Sequence, residues 1–269
     1  MAFETQTVEV AGHGFSPRIF RGGSGQPLVF LHAAGGVGPN DPVIGRLAES
    51  FEVIAPVHPG FRDLEEVGDI ADVHDLALYY DDLMGVLGLE SPIVVGHSFG
   101  GMIGAELAAH VPARVGKLVL MAPVGLWRDD APVADLFAAF PENVQDLLWG
   151  DPGAPEAAAY MAAAAQDVEG ATGDDPMLAM MLAMVQGLAT AAKFMWPIPD
   201  KGLRKRLHRV SAPTLVIWGS KDKLVPASYA DDFVKAIPDA RAEVLEGAGH
   251  MVPVERLDDA AKLISDFAG

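Results

Sequence analysis

The sequence predicts an α/β fold: a doubly wound, mostly parallel sheet interrupted by a helical cap. Short apolar runs alternate with helically spaced segments in the first 123 residues, and apolar runs return after residue 210. Such alternation is typical of βαβ units. Residues 124–209 lack a convincing strand pattern and are divided by prolines. We therefore predict a core formed by residues 1–123 and 210–269, with a cap at 124–209.

The composition limits which kinds of site and which partners the protein can have. The chain has 269 residues, a formal net charge of −18 and no cysteine. Disulfide scaffolds, cysteine-ligated metal sites and cysteine nucleophiles are therefore excluded. Nucleic acids and anionic membranes attract proteins through Lys and Arg, so the acidic balance argues against both partners.

No targeting segment is visible at the N-terminus, which lacks a basic start and an apolar core. The most apolar stretch, residues 176–190, is interrupted by Gln186, Gly187 and Thr190. It is shorter than the ~20 apolar residues of a membrane span. We expect a soluble, cytoplasmic protein.

Six apolar runs predict buried strands. Continuous apolar strands are typical of a sheet that is covered on both faces. The six runs are residues 27–32, 51–56, 93–95, 117–122, 213–218 and 242–245. Helical spacing predicts helices at 70–87, 101–110 and 254–267. Within the cap, Asp174-Asp175-Pro176 has the pattern of a helix start, an acidic cap followed by proline in the first turn.

The strongest chemical motif is Gly96-His97-Ser98-Phe99-Gly100, which matches G-x-S-x-G. A predicted buried strand ends directly before it and a predicted helix follows. In that context the motif predicts a tight turn that projects the hydroxyl of Ser98 above the sheet. A serine hydroxyl needs a base to become nucleophilic, and the base needs a carboxylate to orient it.

Asp222 and His250 are the candidates for the acid and the base. Each lies just past a predicted strand, at the end of a parallel sheet where ligands bind. The chain order Ser, Asp, His is one known order of this triad. Asp129 and Asp130, which follow the strand at 117–122, are rival acids. No histidine pair has metal-ligand spacing, so no metal site is predicted.

A loop rich in small residues, His32-Ala33-Ala34-Gly35-Gly36, follows the strand at 27–32. Small residues let backbone N–H groups approach a developing oxyanion. The N–H of Phe99, directly after Ser98, is the second candidate donor.

These pieces, in this order, resemble the α/β-hydrolase fold family over nearly the whole chain. The resemblance rests on Gly96-His-Ser-Phe-Gly-Gly101, Gly219-Ser-Lys-Asp222 and Gly247-Ala-Gly-His250. It implies that Ser98 is the nucleophile, His250 the general base and acid, and Asp222 the orienting carboxylate. It also implies an oxyanion hole formed by the backbone of Ala34 and Phe99, a cap over the site, and no cofactor. The family's dehalogenases and epoxide hydrolases carry Asp where this chain has Ser98.

The cap indicates an apolar or aromatic small-molecule substrate. Six of the 11 methionines lie between residues 161 and 195, and three of the four tryptophans lie in the cap. Methionine adapts to irregular apolar space, although ordinary packing of cap on core is an alternative for any one of these residues. The predicted substrate contacts are His32, Trp127, Met181, Trp196 and Met251. A second interpretation of His32, and of His97, is that each holds loop backbone by hydrogen bonds.

The predicted function is hydrolysis of carboxylic esters with small to medium apolar acyl groups. A C–C bond hydrolase of the meta-cleavage type is the alternative enzyme, and a non-catalytic small-molecule receptor is the alternative outside enzymes. The basic run at 201–209 bears on the first alternative. Its charges are expected on a solvated face, unless one of its arginines anchors a substrate carboxylate. The family's C–C hydrolases commonly have Trp after the catalytic His, where this chain has Met251.

Overall fold

A central sheet of eight strands organises the protein, whose computed structural model describes residues 2–167, 176–198 and 200–269. The strands are β1 (Glu4–Thr7), β2 (Arg18–Gly23), β3 (Pro27–Leu31), β4 (Glu52–Pro56), β5 (Ile93–His97), β6 (Lys117–Met121), β7 (Thr214–Gly219) and β8 (Ala240–Leu245). Their order in the sheet is β1-β2-β4-β3-β5-β6-β7-β8. The six strands from β3 to β8 pair in parallel, whereas β1 and β2 are antiparallel to their neighbours. The predicted α/β fold with a mostly parallel sheet is confirmed.

Helices occupy most of the connections. They are α1 (Pro42–Leu47), α2 (Val73–Val86), α3 (Phe99–His110), α4 (Pro141–Leu148), α5 (Pro155–Gln166), α6 (Pro176–Met195), α7 (Tyr229–Ala236), α8 (Val252–Glu255) and α9 (Leu257–Ala268). Short 3₁₀ helices lie at Leu64–Val67, Pro112–Arg114, Leu203–Lys205 and Leu207–Arg209. The helix predicted at 254–267 is therefore two helices, α8 and α9, which meet at Arg256.

All six predicted strands are present, but β1 and β2 were not predicted. The residues of β1, Glu-Thr-Gln-Thr, are polar and mostly exposed. The sequence of β1 therefore lacks the apolar run that marks a buried strand. β2 ends in two glycines, which are depleted in strands. Antiparallel strands at the edge of a sheet can pair through their backbones even when they lack an apolar run or contain glycine.

The described residues between β6 and β7 form helices, turns and loops, with no strand among them. α4, α5, α6 and two 3₁₀ helices fill this region. The helix predicted to start near Pro176 is α6, while Asp174 and Asp175 of that prediction lie outside the described residues. The division into a core and a cap remains a prediction. No described helix is long and apolar enough to cross a membrane.

The strand order places two loops of the candidate site on either side of a crevice. β3 lies between β4 and β5 in the sheet, so the chain runs to one side after β3 and returns to the other side with β5. At such a switch point the two loops at the carboxyl ends of the strands separate and leave a crevice. The loop after β3 contains Ala34, and the turn after β5 contains Ser98.

Candidate active site

Ser98 lies in a strained turn between β5 and α3. Its φ is 54°, in the left-handed region that non-glycine residues seldom adopt. The turn is tight enough to exclude side chains on both sides. A Cβ at Gly96 would lie 2.4 Å from the carbonyl oxygen of Gly100, and one at Gly100 would lie 2.0 Å from that of Leu31. The glycines of the G-x-S-x-G motif are therefore required by close backbone approach.

Ser98, His250 and Asp222 form one hydrogen-bonded row. Nε2 of His250 lies 2.7 Å from Oγ of Ser98, and Nδ1 of His250 lies 2.8 Å from Oδ2 of Asp222. All three residues are buried, at 6%, 1% and 8% exposure for Ser98, His250 and Asp222. Since a carboxylate accepts, Asp222 favours the tautomer with hydrogen on Nδ1. That tautomer leaves Nε2 as an acceptor for the Ser98 hydroxyl.

Backbone contacts hold the acid and the base in place. The backbone N–H groups of Leu224 and Val225 donate to Oδ1 of Asp222 at 2.9 and 2.8 Å. Nε2 of His97 donates to the carbonyl oxygen of His250 at 2.9 Å. Burial lowers the pKa of His97 to about 3, with a smaller contribution from His250, so His97 is a neutral support for the loop. This agrees with the loop-holding interpretation of His97.

The rival acids have other partners. Asp129 accepts a hydrogen bond from the indole nitrogen of Trp127 at 2.8 Å. Asp130 forms a two-pronged ion pair with Arg128 at 3.0 and 2.6 Å. The geometry therefore favours Asp222 as the carboxylate that orients His250.

His32 supports the loop after β3. Its Nδ1 donates to the carbonyl oxygen of Ala33 at 2.7 Å, and its Nε2 accepts from the backbone N–H of His58 at 2.9 Å. Nε2 of His58 donates back to the carbonyl oxygen of His32, and the Tyr80 hydroxyl donates to Nδ1 of His58. Burial lowers the pKa of His32 to about 3 and that of His58 well below its usual value. Both imidazoles are therefore neutral parts of the scaffold.

Ala34 and Phe99, the two residues of the predicted oxyanion hole, belong to the same part of the structure as Ser98, and their role stays a prediction. Both residues line the cavity that contains Ser98, and Phe99 is the first residue of α3. Helix α6 packs directly on the Ala34 loop, because a Cβ at Gly187 would lie only 2.8 Å from the carbonyl oxygen of Ala34. The position of this loop therefore depends on α6 as well as on β3.

The cavity beside Ser98 is apolar and small. It encloses about 30 Å³, far less than the roughly 300–1,000 Å³ of typical ligand pockets, so we expect its side chains to shift when an acyl group binds. Two flexible methionines, Met102 and Met195, are among those side chains. The other lining residues besides Ser98, Ala34 and Phe99 are Val124, Gly125, Leu126, Val133, Ala134, Leu136, Phe137, Ile198, Lys201 and Leu224.

Lys201 is the charged side chain among the described residues of this lining, and no pattern in the sequence singled it out within the basic run. Its ammonium donates to the carbonyl oxygen of Trp196 at 2.6 Å. Arginines of the run are engaged elsewhere: Arg206 pairs with buried Glu106 and also donates to the carbonyl oxygen of Lys201 at 3.1 Å. Arg204 lies 3.4 Å from Asp232. Among the described residues of the basic run, Lys201 rather than an arginine lines this cavity.

The predicted substrate contacts do not lie among the lining residues of this cavity. Met181 and Trp196 are 57% and 52% exposed. Met251 is buried, and its backbone N–H donates to the carbonyl oxygen of Leu148. Trp127 contacts Asp129, and His32 supports backbone as described. Composition showed that the cap is rich in Met and Trp, but only packing decides which side chains turn inward.

A larger cavity of about 400 Å³ is lined in part by α5 and α6. Ser98 is not among its described lining residues. Its wall includes charged and polar groups: Arg18, Asp41, Arg62, Tyr160, Asp167 and Gln186. Burial, with a smaller contribution from nearby Asp167, raises the pKa of Asp41 to about 6, although two backbone N–H donors act to lower it. We assign the candidate reaction site to the smaller cavity because Ser98, which is hydrogen-bonded to His250, is among its lining residues.

The fold and this site define a class of protein. The sequence pattern of the α/β hydrolase fold family matches residues 26–257. The chain belongs to this family.

Relatives in the family carry different activities. A 2-hydroxy-6-oxo-6-phenylhexa-2,4-dienoate hydrolase of Comamonas testosteroni is 28% identical over 260 residues, covering 91% of this chain and 88% of that protein. The dihydrolipoyllysine-residue acetyltransferase component of the acetoin cleaving system of Cupriavidus necator is 28% identical over 262 residues, 93% of this chain. The match spans 65% of that protein.

A solved structure of a meta-cleavage product hydrolase from Pseudomonas fluorescens IP01 superposes with a TM-score of 0.73 at 22% identity, covering 97% of this chain and 96% of that one. At this identity the similarity shows the fold alone.

Proposed function

We propose that this hydrolase cleaves carboxylic esters of small to medium apolar acyl groups through an acyl-enzyme intermediate on Ser98. The observation that carries the proposal is the buried Ser98–His250–Asp222 row, opening on a cavity with an apolar wall. A hydrogen-bonded serine and histidine are the parts that acyl transfer needs. The apolar wall suits an acyl chain.

The proposed reaction has two halves. Oγ of Ser98 attacks the ester carbonyl carbon while Nε2 of His250 takes the hydroxyl proton. The carbonyl oxygen becomes an oxyanion that accepts from the backbone N–H groups of Ala34 and Phe99. His250 then returns the proton to the leaving alcohol, and the acyl group stays on Ser98. A water molecule, deprotonated by His250, releases the carboxylic acid and restores Ser98. None of these steps requires a cofactor.

A series of p-nitrophenyl esters from acetate to long acyl chains tests this proposal. We expect turnover with an optimum at a short or medium chain, because the acyl cavity is small and apolar. Release of p-nitrophenol gives kcat and KM for each ester. Absence of turnover across the whole series would contradict the esterase proposal. Saturable binding without turnover would then support the receptor alternative.

A second candidate, a C–C bond hydrolase acting on an acidic substrate, is favoured by one observation. Lys201 is a cation in an otherwise apolar wall, and a relative of this chain is named for hydrolysis of a dienoate, a carboxylate substrate. The contact between Arg206 and the carbonyl oxygen of Lys201 ties the lysine to buried Glu106. Its backbone is thereby fixed beside the cavity.

Replacing Lys201 by Met is expected to weaken binding of an acidic substrate. We expect KM to rise about 10-fold for an ester whose acyl chain ends in a carboxylate, which corresponds to about 1.4 kcal/mol. KM for the neutral ester of equal length should change little, because Met keeps the apolar stem. Steady-state kinetics on both esters measures the difference. The matched control is Lys205→Met, since Lys205 is an exposed lysine of the same run. Equal effects on both esters would contradict a carboxylate contact.

A further inference from the structure

Two histidines outside the Ser98–His250–Asp222 row meet between α2 and α3. Nδ1 of His74, in the first turn of α2, lies 3.1 Å from Nε2 of His110, in the last turn of α3. The two residues are 36 positions apart, so no ligand spacing is visible in the sequence. Both rings are half-buried.

The hydrogen bonds of His110 determine which of its nitrogens is available. Its Nδ1 lies 2.8 Å from the backbone carbonyl oxygen of Glu106. A carbonyl can only accept, so Nδ1 carries hydrogen and Nε2 of the neutral ring presents a lone pair to His74. A metal-binding histidine commonly donates its other ring N–H to a carbonyl in this way, which fixes its orientation.

The distance between the two nitrogens fits a shared ion. Two imidazole nitrogens bound tetrahedrally to Zn²⁺, each at about 2.0–2.1 Å, lie about 3.4 Å apart. The observed separation is 3.1 Å, so a small adjustment of either ring admits an ion. Without an ion the same contact needs a hydrogen on Nδ1 of His74.

The surrounding charges also favour a cation. Glu106, at 1% exposure, belongs to the same cluster: one ring nitrogen of each histidine and one carboxylate oxygen of Glu106 lie within 4.8 Å of one another. Oε2 of Glu106 lies 3.6 Å from Nδ1 of His110. The carboxylate also accepts two hydrogen bonds from Arg206, so part of its charge is already balanced. His110 lies in the last turn of α3, where the helix dipole places partial negative charge.

We propose that His74 and His110 bind a divalent transition-metal ion of the class that prefers imidazole, with Zn²⁺ as the reference ion. Glu106 supplies the nearby negative charge, and water completes the coordination. The ion joins α2 to the C-terminal end of α3, whose N-terminal end follows Ser98. Its role is structural, and it takes no part in the proposed ester hydrolysis.

Zn²⁺ titration of the full-length protein after EDTA treatment and dialysis tests the site. Calorimetry should show one ion bound to the wild type, and thermal unfolding should show a Tm about 5 °C higher at a hundredfold excess over Kd. We expect His74→Ala and His110→Ala each to weaken binding at least 10-fold and to abolish most of the Tm shift. His208→Ala is the matched control, because His208 is exposed on the 3₁₀ helix Leu207–Arg209.

The outcomes separate the alternatives. His74→Ala leaves the contacts of His110 with Glu106 intact, so this variant carries the test if His110→Ala does not fold. Far-UV circular dichroism without metal establishes folding. A wild type that binds no Zn²⁺ would overturn the proposal, and so would His74→Ala with unchanged affinity. The same is true if His208→Ala loses as much affinity as His74→Ala.

Discussion

Replacing Ser98 by Ala is expected to lower kcat for ester hydrolysis by about 10⁴-fold or more, with little change in Tm. The proposed covalent step needs Oγ, and among the described residues the ring of His250 is hydrogen-bonded to one hydroxyl, that of Ser98. Loss of a nucleophile in a triad costs nearly as much as loss of the whole triad. Ala keeps the backbone geometry of the turn. Initial rates on the preferred p-nitrophenyl ester measure the loss, and activity above a hundredth of wild type would contradict the assignment.

Asp222→Asn completes this experiment. The amide cannot stabilise a positive His250 as a carboxylate does, and it permits the wrong tautomer. We expect kcat to fall by about 10⁴-fold while substrate still binds. Asp129→Asn is the matched control, because Asp129 contacts Trp127 rather than His250, and its kcat should remain near that of the wild type. The reverse pattern would move the acid to the loop after β6.

Replacing Gly100 by Ala is expected to be the most destabilising single-methyl change in the turn around Ser98. The new Cβ would lie 2.0 Å from the carbonyl oxygen of Leu31 and 2.6 Å from that of His32. Both contacts are with backbone, which cannot rotate away as a side chain can. We expect a loss of about 4 kcal/mol or more in the free energy of unfolding, at the upper end of single substitutions. Urea unfolding followed by tryptophan fluorescence measures it.

Gly104→Ala is the matched control because Gly104 lies in the same helix. A Cβ there would lie 3.4 Å from a side-chain carbon of Val94, with no backbone contact this close. Ala also has a higher helix propensity than Gly by about 1 kcal/mol. We therefore expect Gly104→Ala to keep the wild-type stability or exceed it. Comparable destabilisation by both variants would show that α3 tolerates no added methyl, and that close backbone approach at Gly100 is not the cause.

The parallel strands could be predicted because each had its own local signal. β5, for example, is buried along its whole length, and a run of β-branched residues there is visible without tertiary information. β1 gave no signal because its side chains are polar and largely exposed. It is a strand because β2 offers it hydrogen-bonding partners in register, and pairing of this kind is a property of two segments together.

The sequence alone determined the α/β fold and, at the site, the positions of Ser98, Asp222 and His250, since each residue follows a recognisable strand. Only the tertiary structure showed that Asp222 rather than Asp129 bonds to His250. It also placed Lys201 in the cavity wall and left Met181 exposed. Residues 36 positions apart, His74 and His110, likewise meet only in the folded chain. The physical reason is that strand and turn signals are local, whereas side-chain neighbours depend on how distant helices pack.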